Sequence, residues 1–181
     1  MKKYSKFIER IGFIKFEWQQ EYLIFLLNIR NNSDFLKLCT KRNNVVNLEE
    51  FRNELKNDFN DDRYEQYIII NSKDNLIGTV YSYSFNRMKK YFFFSIFLVS
   101  EYRKYGYGVG AILGFLKMSF AKNDLEKIYF DVYEYNDKVL NMTSRLRKIF
   151  EKVEQFTNRR EIDNDKYDIL RFVVYRNKVN L

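Results

Sequence analysis

The chain has 181 residues, 46% of them hydrophobic, which is about one domain with enough apolar material for a substantial core. It contains no histidine and a single cysteine, Cys39; this excludes an internal disulfide, a cysteine metal cluster and every Ser-His-Asp or Cys-His triad. The net charge of +8 favours an anionic partner as much as it serves solubility, and any acid-base work falls to carboxylates, Tyr, Lys, water or the backbone.

With no proline in the chain, breaks are read from Gly, Asn, Asp and Ser clusters. Ile11 to Phe16 reads as a short strand. Glu21 to Asn31 carries Tyr22, Phe25, Leu26 and Ile29 at helical spacing, and Asn31-Asn32-Ser33-Asp34 ends it. Asn47-Leu48-Glu49-Glu50 offers an N-cap with acids in the first turn of a second helix, whose apolar face is Leu48, Phe51, Leu55 and Phe59. The period then changes. Gln66 to Ile70, Leu76 to Phe85 and Tyr91 to Val99 are rich in β-branched and aromatic residues, and the short breaks between them predict antiparallel neighbours. Val109 to Ala121 reads as a helix, Ile128 to Tyr133 as a strand, Val139 to Phe150 as a helix, and Val153 to Arg159 with Ile169 to Arg176 as a closing hairpin. No linker or repeat interrupts the series, so residues 1–181 are expected to form one domain with a mixed sheet against helices. No run approaches the roughly 18 apolar residues of a membrane helix, and Met1-Lys2-Lys3-Tyr4-Ser5 leads into no apolar signal segment; a cytoplasmic protein is expected.

Charge is unevenly placed. Glu49 to Glu65 holds seven acids against three bases, and Lys138 to Arg160 seven bases against two acids. The acidic segment would attract a cationic amine, or is simply a solvated helix face. Tyr81, Tyr83 and Phe85 alternate along one strand, which suits either a pocket wall or a buried sheet face.

The stretch whose spacing points to chemistry is Arg103-Lys104-Tyr105-Gly106-Tyr107-Gly108-Val109-Gly110, between an apolar strand and an apolar helix; it holds three of the chain's 6 glycines at alternate positions. Amides there, followed by a helix N-terminus, would form a donor surface for a diphosphate. Three readings compete. One is a plain strand-to-helix turn. A second is a dinucleotide fingerprint, since Gly106 to Ala111 satisfies G-x-G-x-x-A and Asp131 and Glu134 follow at a ribose-binding distance; the antiparallel strands that precede it speak against this reading.

The third begins at Arg103: Arg103-Lys104-Tyr105-Gly106-Tyr107-Gly108 resembles the R/Q-x-x-G-x-G/A signature of the GNAT acetyltransferase superfamily. Phe97 to Arg103 is similar to that family's lead-in of a hydrophobic strand followed by P-E-Y-R. Asn136 resembles the asparagine after its fifth strand. Leu27-Asn28-Ile29-Arg30-Asn31 is similar to the W-R-N segment of the branch that acetylates ribosomal-protein N-termini and nucleotide-sugar amines. The resemblance implies an α+β fold with a mostly antiparallel sheet of about six or seven strands and about four helices, in the order β-α-α-β-β-β-α-β-α-β-β. It also implies acetyl-CoA as cofactor and transfer of its acetyl group to a primary amine, on a small molecule or a peptide, by direct attack on the thioester.

By that resemblance, the cofactor-binding residues are Leu98, Val99, Ser100, Arg103, Lys104, Tyr105, Gly106, Tyr107, Gly108, Val109, Gly110 and Asn136. The loop amides would hold the diphosphate. Arg103 would shape the loop or reach a phosphate. Leu98 and Ser100 would offer backbone groups to the pantetheine arm where their strand splays from Ile128 to Tyr133, and an amide near Leu98 or Val99 would face the oxyanion. Asn136 would bond the pantetheine or cap the next helix. Glu134 and Glu101 are candidate bases, and Tyr133 and Tyr135 candidate proton donors. The tyrosine that members of this family carry on the following helix has no counterpart: Thr143 stands in its slot. Either another group protonates the thiolate, or the chain is an acyl-CoA binder without turnover. A different class of function, single-stranded nucleic-acid binding, rests on Arg87, Lys89 and Lys90 beside Tyr91, Phe92 and Phe93, aromatics that continue into an apolar strand and so read as buried. No metal or membrane partner is expected, and a homodimer is left open.

Overall fold

In the computed structural model, residues 4–40, 44–162 and 164–179 are described; Met1-Lys2-Lys3, on which the signal-segment reading begins, lie outside them. The elements are α1 (Ser5–Ile8), β1 (Ile11–Lys15), α2 (Gln20–Arg30), α3 (Ser33–Leu38), α4 (Leu48–Phe59), β2 (Glu65–Asn71), β3 (Leu76–Asn86), β4 (Tyr91–Leu98), α5 (Tyr107–Lys122), β5 (Lys127–Tyr133), α6 (Asp137–Arg145), β6 (Glu151–Ile162) and β7 (Asp165–Tyr175). The strands form one seven-stranded sheet in the order β1-β2-β3-β4-β5-β7-β6. Every neighbouring pair is antiparallel except β4 and β5. The fold is therefore the mixed α+β sheet that the sequence predicts.

Two helices are additional to that expectation. Asn31 to Asp34 does end α2, but the same cluster starts α3: the Asn32 side chain accepts the amides of Asp34 and Phe35 at 3.0 and 3.3 Å. One polar run thus serves as both stop and start. α1 has four residues, too few to show a hydrophobic period. The helix expected to reach Phe150 ends at Arg145, because Leu146, Ile149 and Phe150 turn in to the core on a non-helical stretch. α4 starts as expected, and Asn47 with Glu50 closes a capping box.

The sheet has an apolar layer on each face. On one, α5 brings Leu113, Leu116 and Phe120 onto Ile69, Val80, Phe92, Phe94, Ile128 and Phe130. On the other, Leu23 and Leu26 of α2 and Phe51 and Leu55 of α4 close over Ile68. Tyr81, Tyr83 and Phe85 do not share a face to the end of β3. The register slips between Tyr83 and Asn86, Ser84 sits at φ 53°, and Phe85 turns to pack on Phe92 at 6.0 Å between ring centroids. A bulge of this kind resets the alternation that strand parity assumes.

Gly106, Gly110 and Gly114 lie four residues apart and form a groove along α5 for the N-terminal segment. A Cβ on Gly106 would run into the Phe7 ring; one on Gly110 would run into the Phe7 carbonyl and lie 3.2 Å from Ile11 Cγ1; one on Gly114 would lie 3.1 Å from Phe13 Cε2. Gly110→Ala is expected to destabilise the protein by about 1–3 kcal/mol through overpacking, because backbone atoms must move. Thermal denaturation checks this: an unchanged melting temperature would mean that α1 does not pack there.

Candidate active site

The single parallel pairing is short. β4 and β5 are in register at Tyr91–Lys127, Phe92–Ile128 and Phe93–Tyr129, then part, although β4 stays paired to β3 through Leu98 and β5 to β7 through Tyr133. The backbone groups that enter the resulting fork follow from antiparallel alternation. The Val99 amide donates to Ile77 C=O at 3.0 Å, so Phe97 and Ser95 turn their amides and carbonyls to β3, and Leu98, Ile96 and Phe94 turn theirs into the fork. The Glu134 amide donates to Asp168 C=O at 3.0 Å, which by the same rule turns Asp131 and Tyr133 toward the fork from the opposite side. The fork is an unfilled strand position in the sheet.

At its mouth β4 leads through a 3-10 turn, Ser100–Tyr102, into the glycine loop. Tyr105 and Gly106 are both left-handed, at φ 56° and 82°, and Gly106 has no side chain with which to cap α5. The Tyr107 amide takes Lys104 C=O at 3.3 Å and that of Gly110 takes Gly106 C=O at 2.9 Å. Among the described residues, the amides of Gly108 and Val109 have no acceptor, as first-turn amides of an uncapped helix do not. Gly108 differs from its neighbours: a Cβ there would meet nothing within 4 Å. Glycine in a helix costs roughly 0.5–1 kcal/mol against alanine, and the protein's own packing does not require it here. Without a Cβ, Gly108 leaves the first-turn amides of α5 open to close approach.

Beside the fork, on the face covered by α2 and α4, lies a cavity of about 630 Å³. Among the described residues, its lining includes the carboxylates Glu54, Asp58, Asp61 and Asp131, the guanidinium of Arg30, and the phenols Tyr64, Tyr81, Tyr83 and Tyr133. Three of these acids are anchored by arginines: Glu54 accepts from Arg30 at 2.9 and 3.1 Å, Asp61 from Arg63 at 2.6 and 2.7 Å, and Asp131 from Arg171 at 2.8 and 2.9 Å. Tyr64 stacks on Tyr81 at 5.8 Å, Tyr81 lies 6.0 Å from Tyr83, and Tyr83 lies 5.9 Å from Phe93, so the wall is an aromatic ladder. Carried past its last pair, the β4–β5 register sets Ser95 against Asp131 and Phe97 against Tyr133, with Ser95, Asp131 and Tyr133 all lining the cavity.

The expected site residues separate into groups. Leu98 turns its amide into the fork, and its carbonyl accepts from Arg103 Nε at 2.7 Å. Val99 does not serve the fork, since its amide is bonded to Ile77 and its carbonyl accepts from Tyr102. The Ser100 carbonyl closes the turn with the Arg103 amide. Arg103 points away from the loop: it bonds Leu98 and Asp34 and lies over the Phe97 ring at 4.6 Å, so it ties α3 to the end of β4. Lys104 and Tyr105 are exposed at the loop, while Gly106 and Gly110 face α1, leaving Tyr107, Gly108 and Val109 to form the first helical turn. Asn136 caps α6, its Oδ1 accepting the Val139 amide at 3.4 Å. Thr143 is buried, and its hydroxyl donates to Leu140 C=O at 2.9 Å.

Of the expected acid-base groups only Tyr133 lines the cavity; burial raises its phenol above the ordinary range, partly offset by Arg160, so it carries its proton. Tyr135 stacks on Tyr133 at 5.4 Å and donates to Lys37 C=O at 2.7 Å. The Glu134 carboxylate accepts the Asp168 amide at 2.8 Å on β7 and is not presented to the cavity. Glu101 is exposed beside Ser100. Sequence reasoning missed Ile96, Asp131 in this role and Ser95, whereas Glu54, Asp58 and Asp61 belong to the acidic segment expected to attract a cationic amine. Glu54 and Asp58, four residues apart, share one edge of α4, and Asp61 follows in the turn just beyond its end.

Cys39 also lines the cavity, with Sγ 3.9 Å from Ile96 C=O. Burial pushes its thiol up from 9.0 to about 12, against a smaller opposing effect from Ser95. Burial here favours the neutral form, so the thiol stays protonated at any pH below that value. Native protein at pH 8 is therefore expected to resist an aromatic disulfide reagent that titrates one thiol after unfolding in urea; rapid native reaction would contradict this environment.

A model of the acetyltransferase (GNAT) family matches residues 15–146. No curated protein matches the chain. Among solved structures, spermidine N-acetyltransferase from Vibrio cholerae in complex with CoA and spermine has a TM-score of 0.84 at 20% identity, with 94% of this chain and 98% of that chain covered. The spermidine/spermine N-acetyltransferase of the same organism in complex with manganese ions gives 0.76 at 20%, covering 95% and 96%. Its dodecameric structure in an intermediate state gives 0.77 at 20%, covering 93% and 95%. These likenesses concern the fold. On the family match, which spans most of the sequence, the chain belongs to the acetyltransferase (GNAT) family and is an acetyl-CoA-dependent N-acetyltransferase.

Proposed function

We propose that the chain acetylates a primary amine of a small cationic di- or polyamine by direct attack on the thioester, acting as one cytoplasmic domain over residues 1–181. The observation that carries this is the juxtaposition of the β4–β5 fork with a cavity that, among the described residues, is lined by four carboxylates, one guanidinium and a ladder of tyrosines. Carboxylates and aromatic faces together suit alkylammonium groups. The structural likeness to polyamine acetyltransferases agrees with it. The finer resemblance to ribosomal-protein and nucleotide-sugar acetylases rests on Leu27 to Asn31; there Asn31 exchanges hydrogen bonds with Val46, while Arg30 lines the cavity and pairs with Glu54.

The cofactor fits the residues present. The amides of Gly108 and Val109 and the positive end of α5 would hold its diphosphate, and the fork-facing amides of Ile96 and Leu98 its pantetheine arm. Bound acetyl-CoA supplies the acetyl group as an activated thioester. An Ile96 or Leu98 amide would steady the negative charge that develops on the carbonyl oxygen. Asp131, fixed by Arg171, would take the amine's proton through water, and the Tyr133 hydroxyl would protonate the leaving sulfur. The silent acyl-CoA binder is the second reading, favoured by the engaged hydroxyl of Thr143; CoA binding without acetylation across an amine panel would select it.

CoA at 100 times its Kd is expected to stabilise the protein by about 2.7 kcal/mol in thermal melting, and Gly108→Glu to abolish that shift with the apo fold retained. No shift for the parent chain would remove the cofactor assignment. Tyr133→Phe is expected to lower kcat by on the order of 100-fold. Because burial raises the phenol, the parent's rate should hold through pH 9 and fall only as Tyr133 ionises above the ordinary phenol range; an equal fall in both proteins would exclude it as the donor.

A further inference from the structure

Residues 5–10 precede the stretch that matches the family model, yet they form one wall of the glycine loop. Phe7 occupies the groove beside Gly106 and Gly110. Arg10 follows, and its Nη1 donates to the carbonyl of Tyr105 at 3.2 Å while its guanidinium lies 4.3 Å from the centre of the Tyr107 ring. The far edge of that ring is held by Tyr102, edge-on at 5.6 Å.

Tyr105 is the strained residue of the loop. Its φ of 56° is unfavourable for a residue with a side chain, and that side chain is 78% exposed, so packing does not compensate. The Arg10 bond does act on this peptide. In a trans peptide the C=O and the N–H point in opposite directions, so a Tyr105 carbonyl tied to Arg10 turns the Gly106 amide away from Arg10. Among the described residues no carboxylate pairs with Arg10, and its charge stands uncompensated behind the loop.

We propose that Arg10 is a positioning residue of the diphosphate site: it sets the Tyr105–Gly106 peptide for anion binding and adds positive potential to the first turn of α5. The inference rests on the cofactor reading above and extends the site to a segment outside the family signature.

The test is calorimetric titration of CoA and of inorganic pyrophosphate into the parent chain, Arg10→Ala and Arg10→Lys. Loss of a charge-assisted bond predicts about tenfold weaker binding of both anions by Arg10→Ala, a smaller loss in Arg10→Lys, and a matching rise in the KM for acetyl-CoA while the KM for the amine holds. Should Arg10→Ala not fold, the lysine variant, which keeps charge and stem but not the flat guanidinium, carries the comparison. Parent-like Kd values in the folded variants overturn the proposal, as does a rise in amine KM that tracks a lowered melting temperature. A parent chain that binds neither anion removes the cofactor reading and this inference with it.

Discussion

The organisation of this protein depends on two strands that begin side by side and separate. β4 and β5 form the only parallel pair in the sheet, and three residue pairs exhaust it. Each strand is held beyond the split by an antiparallel partner of its own, β4 by β3 and β5 by β7. Antiparallel pairing is the stronger of the two per residue, so the halves keep their courses and the parallel contact yields. α3 then spans the gap from the cavity side. Asp34 bonds Arg103 and the Cys39 carbonyl accepts from Tyr81 on the β4 half, while the carbonyls of Leu36 and Lys37 accept from Arg160 and Tyr135 on the β5 half. These bonds satisfy carbonyls at the C-terminal end of α3, where an α-helix has no internal partners, and so link the two halves across the fork.

The glycines show how one motif serves two ends. Gly106 and Gly110, with Gly114, make room for the N-terminal segment, and their contacts are with protein. Gly108 makes room for nothing in the chain. Alternation in the sequence suggests three equivalent phosphate-facing positions, but a helix places residues two apart on opposing sides and residues four apart on one. The spacing therefore contains a packing stripe and one residue that faces open space.

The cavity chemistry follows a similar division. Its acids are not loose surface charge; Glu54, Asp61 and Asp131 are each gripped by an arginine, which fixes where the negative charge sits while leaving oxygen lone pairs for a donor. Its phenols are kept neutral by burial, Tyr81, Tyr83 and Tyr133 all being shifted upward. The result is a wall that sets arginine-paired carboxylates at one part and a protonated hydroxyl near the fork at another, without a histidine.

Local patterning was enough to determine the seven strands, their order along the chain, the helix that follows the glycine loop and the loop's kinship with the acetyltransferase signature, because hydrophobic period, capping residues and glycine spacing are written within a few residues of one another. The absence of histidine likewise restricted the chemistry before any coordinates. Only tertiary structure decided which amides enter the fork, since Leu98 and Val99 differ there by the parity of pairing with β3; that Glu134 is engaged by β7 while Asp131 faces Ser95, since both depend on register; and that Phe85 leaves the tyrosine ladder, since one left-handed residue at Ser84 reverses the alternation. Arg103, which the motif makes a phosphate candidate, was turned toward Asp34, while Arg10, without any motif, was brought to the loop. The contact between Arg10 and Tyr105, ninety-five positions apart, arises from the packing of the N-terminal segment along α5, and no local pattern encodes it.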